Sequence, residues 1–163
     1  MRLNGERSTN PLAVGDIVQF ESNGQTEAGL ITEREERKNA IVRRSVNLSK
    51  ESHVVAANLD RAFLVATISQ PSTSTGFIDR FLVTAEAYGI PTTLVFNKCD
   101  LVAASERDEE ALSYMSELYE MAGYDVLRVS AQTGEGLTEL RAAIAASGVN
   151  MLSGHSGVGK TTL

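Results

Sequence analysis

The chain has 163 residues, 42% of them hydrophobic, no tryptophan and a formal net charge of −6, which fits one ordinary domain or two small ones with material for a core. No run approaches the roughly 18 apolar residues of a membrane span, and the opening MRLNGERSTNPLAVGD lacks the apolar stretch of a secretory leader. The one cysteine, Cys99, cannot form an internal disulfide, so a reducing cytoplasm is the simplest compartment.

In chain order, the first 56 residues read as β structure. VGDIVQF (14–20), EAGLITER (27–34), NAIVRR (39–44) and SHVVAA (52–57) are short runs with β-branched residues, separated by SNGQ (22–25) and charged turns. Short strands at close spacing predict a small barrel or sandwich. This segment balances its charges, whereas residues 57–163 hold most of the acidic excess. Global acidity speaks against nonspecific nucleic-acid binding. A local basic run nevertheless comprises Arg34, Arg37, Lys38, Arg43, Arg44 and Lys50, and it reads either as a solvated face or as a phosphate-binding patch.

From about residue 60 the pattern becomes α/β. FLVATIS (63–69) is a continuous apolar run, as expected of a strand covered on both faces. Phe77, Phe81, Ala85 and Tyr88 fall at helical spacing, and Gly89 with Pro91 supplies a stop. TTLVF (92–96) is a second strand. Leu112, Met115, Tyr119 and Ala122 mark a helix that begins among acidic residues, favourable at the positive end of its dipole. DVLRVS (125–130) is a third strand, Leu137, Leu140 and Ile144 form another helical stripe, and GVNML (148–152) is a fourth strand. Alternating strands and helices imply right-handed crossovers and a mainly parallel sheet. The fold class is therefore a two-domain α+β chain, with a β domain at 1–56 and an α/β domain at 57–163.

GHSGVGKT (154–161) fits G-x-x-x-x-G-K-[ST] after one predicted strand and before a predicted helix. Gly154, Gly157 and Gly159 let the backbone wrap closely, so that N–H groups from His155, Ser156, Val158 and their neighbours through Thr162 can point at phosphate oxygens. Lys160 brings charge to the β- and γ-phosphates, and the Thr161 hydroxyl is placed to ligand Mg²⁺. Asn97, Lys98, Cys99 and Asp100 follow the strand TTLVF, at the edge where open α/β sheets bind ligands. Asp100 can accept hydrogen bonds from N1–H and the N2 amino group of guanine, a donor pair that adenine lacks. Asn97 can tie the loop and reach N7, and the Lys98 stem can cover the ring face. Ser130 and Ala131, opening SAQTG (130–134), offer a backbone N–H for guanine O6. Cys99 reads as packing, and His53 and His155 as surface or support.

In ordinary Ras-like GTPases the phosphate loop comes first; here NKCD and SAQTG precede it. The chain therefore looks like a circularly permuted GTPase. With SHVVAANLD at the domain junction and GFIDRFLVTAE in the first helix, it resembles the ribosome-small-subunit-dependent GTPases of bacteria, the RsgA (YjeQ) family, from about residue 13 onward. The resemblance implies an OB-fold barrel that touches 16S rRNA, a permuted GTPase domain and a zinc-binding domain. It implies GTP and GDP as ligands with Mg²⁺, and ribosome-stimulated hydrolysis during late assembly of the 30S subunit. It carries over Asn97, Lys98 and Asp100 as guanine readers, residues 154–162 as the phosphate loop and Thr161 as the Mg²⁺ ligand.

The family's switch threonine, its D-x-P-G segment and its zinc ligands would lie beyond Leu163. The 163-residue chain alone is therefore expected to hydrolyse negligibly and to bind nucleotide weakly. A monomer is the expected state. The competing reading is an RNA-binding barrel on an inert nucleotide fold; a weaker one is an ATP-using enzyme, which Asp100 opposes.

Overall fold

The computed structural model describes residues 10–22, 29–44 and 52–163, with the side chains of residues 43, 44 and 52 outside the description. The chain divides into two compact units, Met1–Leu59 and Asp60–Leu163. No helix among the described residues is long and apolar enough to cross a membrane.

In the first unit β1 (Val18–Ser22) pairs antiparallel with β2 (Gly29–Arg34), and β3 (Ala40–Arg44) pairs antiparallel with β4 (Ser52–Ala57). A parallel bridge joins Val14 to Ala56. The expected strands are present, but the described residues form two separate pairs rather than a closed barrel. Side-chain amides serve where strand partners do not. Asn10 both donates to Val54 O (2.8 Å) and accepts from Val54 N (3.0 Å). Asn39 does the same with Leu59, at 2.9 and 2.8 Å. Asn58 accepts from Lys38 N and donates to Gly15 O, both at 2.9 Å. An asparagine amide carries one acceptor and a donor group in a peptide-like array, so it can satisfy a backbone segment as a neighbouring strand would.

The second unit is a parallel sheet in the order β7-β6-β5-β8, built from β5 (Arg61–Ala66), β6 (Thr92–Phe96), β7 (Asp125–Arg128) and β8 (Asn150–Ser153). The central strands β5 and β6 are buried almost throughout, as their continuous apolar runs require. Side chains alternate between faces with period two. Leu64, Ala66, Leu94 and Phe96 therefore share one cluster, with Ile78, Leu82, Leu112 and Tyr119 from the helices. Phe63, Val65 and Val95 join the other, with Val129, Leu140 and Val158.

Helix α1 (Thr75–Ala87) is capped by Ser74, whose Oγ accepts from Phe77 N. It buries Ile78, Leu82 and Ala85, one step around from the stripe expected of it, while Phe77 and Phe81 flank the core. One short turn, α2 (Cys99–Val102), lies between β6 and α3 (Glu106–Met121). Ser105 caps α3, and Glu106, Asp108 and Glu109 fill its first turn, where the helix dipole favours them. Helix α4 (Leu137–Ala145) precedes β8. Only Thr162 and Leu163 follow GHSGVGKT, and their N–H groups both donate to Gly159 O, a first turn at the place where a helix is expected to begin.

Candidate functional site

The carboxyl ends of β5, β6, β7 and β8 lie at one edge of the sheet, and each releases a loop there. The loops after β6, β7 and β8 carry NKCD, SAQTG and GHSGVGKT. Asn97 joins all three. It is only 2% exposed; its Nδ2 donates to Val158 O at 2.8 Å and its Oδ1 accepts from Ala131 N at 3.2 Å. The role expected of it as a loop tie is therefore filled by contacts to both neighbouring loops. Ser130 and Ala131 are expected to offer a backbone N–H to guanine O6; here the N–H of Ser130 donates to Glu135 O and that of Ala131 to Asn97 Oδ1.

Asp100 sits in the single turn of α2. Lys98, at that turn's N-cap, adopts a left-handed φ of 65°, which lets the chain reverse immediately after Asn97. The fully buried Ser130 donates its hydroxyl to Asp100 Oδ1 at 2.5 Å and accepts from Thr133 N at 3.1 Å. The hydroxyl thus fixes the carboxylate. An ionised carboxylate has about four lone-pair sites, so capacity for two more donors remains.

Cys99 is half-buried, and its Sγ donates to Phe96 O at 3.3 Å. Burial pushes its thiol pKa up, the opposite of what a nucleophile requires. A cleft of about 340 Å³ opens between these loops, lined by Asn97, Lys98, Asp100, Leu101, Ala131, Gln132, Gly159 and Thr162. That volume lies within the range of small-ligand sites. It brings base-motif residues and phosphate-loop residues onto one surface.

Two glycines of the phosphate loop are sterically dictated. Gly154 has φ +149, and a Cβ there would meet Val65 O at 2.3 Å; Gly159 has φ +91, and a Cβ there would meet Asn97 Nδ2 at 2.4 Å. Val158, at 0% exposure, plugs the loop into the core. Lys160 Nζ donates to Gly154 O at 2.9 Å and to His155 O at 2.7 Å. An ammonium has three donors, so one remains for a ligand without breaking the loop's own bonds. His155, Ser156, Gly157, Thr161 and Thr162 are exposed. Sequence reasoning did not single out Leu101 and Gln132 as cleft walls, because neither belongs to a spaced motif.

The basic run divides. Arg37 donates to both oxygens of Asp16, at 2.6 and 2.8 Å, and the two side chains are 10% and 2% exposed. Arg37 is thus engaged within the protein, where it fixes the Asp16 carboxylate. The hydrogen bond from Arg37 holds the Asp16 carboxyl below the usual carboxylate range. Arg34 and Lys38 lie at the end of β2 and just before β3. The Arg43 and Arg44 side chains and all of Lys50 lie outside the described residues.

The family model described as RsgA GTPase matches residues 34–163. The chain is 52% identical to a small ribosomal subunit biogenesis GTPase RsgA of Flavobacterium psychrophilum, over 99% of this chain and 49% of that protein. It is also 52% identical to a protein of that name from Bacteroides fragilis, over 99% and 51%. Among solved structures it is similar to YjeQ from Thermotoga maritima, with a TM-score of 0.76 at 34% identity over 93% of this chain and 49% of that one. It is likewise similar to YloQ, a circularly permuted GTPase, with a TM-score of 0.67 at 30% identity over 94% and 49%. The chain spans about half the length of the relatives it matches.

Proposed function

Because the chain belongs to the RsgA GTPase family, we propose that the complete protein binds GTP and GDP, hydrolyses GTP, and serves late maturation of the small (30S) ribosomal subunit, which stimulates the hydrolysis. One observation carries the reading. Asn97 bonds to both Val158 O and Ala131 N, so a guanine-selective carboxylate and a phosphate-binding loop share one cleft. Asp100, oriented by Ser130, accepts from the base. Lys160 and the N–H groups of residues 154–162 hold the phosphates. The hard hydroxyl oxygen of Thr161, exposed beside Lys160, suits Mg²⁺, an ion bound mostly by phosphates and water. Once bound, that ion would neutralise phosphate charge.

Residues 1–56 form an OB-type barrel that contacts 16S rRNA through Arg34, Lys38, Arg43, Arg44 and Lys50, and residues 57–163 form the permuted nucleotide domain. The protein works as a monomer in the cytoplasm, and a further domain binds zinc. No group of three or more His, Cys, Asp or Glu gathers among the described residues, so no zinc ligand set is assigned to this chain. The test is GTP turnover by the complete protein with and without purified 30S subunits. Stimulated turnover that Lys160→Ala abolishes is expected. RNA binding unaffected by Asp100→Asn and Lys160→Ala, with no turnover under any condition, would favour an inert RNA-binding module instead.

A further inference from the structure

The segment between β5 and α1, residues 67–74, contains none of the three motifs, yet it reaches two of them, NKCD and GHSGVGKT. It is closed on itself. Thr67 N donates to Thr73 Oγ1 at 3.1 Å, Thr73 N donates to Thr67 O at 2.9 Å, and Thr67 Oγ1 donates to Pro71 O at 2.5 Å. Both threonines are buried, and a loop tied by its own buried hydrogen bonds presents its tip in a fixed place.

That tip faces the site at two points. Gln70 O accepts from Lys98 Nζ at 2.5 Å. Pro71 lies so near Gly157 that a Cβ there would stand 3.4 Å from Pro71 Cδ. Just beyond, Phe77 in the first turn of α1 stacks on His155, with ring centroids 3.8 Å apart and planes at 31°. Phe77 also packs against the core cluster, so the anchored ring is Phe77 and the placed ring is His155. The carbonyl of the same His155 holds the Lys160 ammonium at 2.7 Å. The chain of contacts therefore runs from Phe77 through His155 to Lys160.

We propose that residues 67–77 are the positioning wall of the nucleotide site, and that Phe77 is the positioning residue for Lys160, acting through His155. The proposal rests on the nucleotide-binding reading above and deepens it. One loop from β5 sets the base-side lysine and the phosphate-side lysine relative to each other.

The experiment measures GDP and GMP affinity of the complete protein by calorimetry, because Lys160 serves the β-phosphate that GMP lacks. Phe77→Leu keeps an apolar side chain against the core but removes the ring face, and thermal melting checks that it folds. An aromatic pair of this kind translates into a loss of roughly 3- to 10-fold in GDP affinity, with GMP affinity holding within about twofold. Phe77→Tyr should restore GDP affinity. In a Lys160→Ala background Phe77→Leu should change it by no more than about twofold, as expected of residues acting in one chain. Equal weakening of GDP and GMP, an unchanged GDP affinity in Phe77→Leu, or a full loss persisting without Lys160 would overturn the proposal. A wild-type protein that binds neither nucleotide would instead refute the function proposed above, before any variant is compared.

Discussion

In the C-terminal unit β6 buries every residue and β5 all but Arg61, whereas β1 and β2 of the N-terminal unit leave most of theirs exposed. The C-terminal unit is held by apolar side chains sorted onto two faces of a sheet. The N-terminal unit relies on Asn10, Asn39 and Asn58 standing in for strand partners, and on the Asp16–Arg37 pair. Apolar burial makes a rigid platform without specifying any one loop, while a side-chain amide fixes one backbone segment against another. The candidate site uses both, and Asn97 is that same amide device placed on the apolar platform.

The largest effect is expected in the apolar core. Leu64 is fully buried among core residues, so Leu64→Ala should destabilise the C-terminal unit by about 3–5 kcal/mol in urea unfolding. A loss below about 1 kcal/mol would mean that the two-faced core is not what holds this unit. Next in size is Asn97→Ala, which leaves Val158 O and Ala131 N without their partner. GDP affinity of the complete protein should fall roughly 30-fold or more by calorimetry.

Asn39→Ala should cost the N-terminal unit about 1–2 kcal/mol and leave GDP affinity unchanged, because Leu59 loses a partner far in sequence from the site. The smallest effect is on pH. Asp16 has a folded pKa below its unfolded one because Arg37 bonds its carboxylate. Its stabilising contribution is therefore complete above the ordinary carboxylate pKa of about 4 and is lost as pH falls through the lower, folded value. An acid titration followed by circular dichroism should show that decline, and Asp16→Asn should remove it.

What could be read in advance follows the same division. Continuous apolar runs announced β5 and β6, because strands covered on both faces have no polar alternation to confuse them. In α1 the sequence offers apolar residues at both 77 and 78 and at both 81 and 82. The stripe could therefore be drawn one step off, and the structure places Ile78 and Leu82 innermost. The turn α2 is too short for any period to show. The three loops that meet at the cleft were legible from spacing, and Asn97 was expected to tie its loop, which its bonds to Val158 O and Ala131 N do. The Gln70–Lys98 and Phe77–His155 contacts were not, since they join residues 28 and 78 positions apart and belong to no local pattern. Nor was the burial of Arg37 visible, because a basic run looks the same whether a charge meets solvent or Asp16.

The central claim is that one cleft selects guanine through Asp100 and holds phosphate through the loop that Asn97 braces. Calorimetric titration of GDP and ADP into the complete protein and into its Asp100→Asn variant tests it most directly. GDP should bind the wild type far more tightly than ADP, and most of that preference should vanish in the variant. Equal affinities for the two nucleotides, or a guanine preference that survives Asp100→Asn, would contradict it.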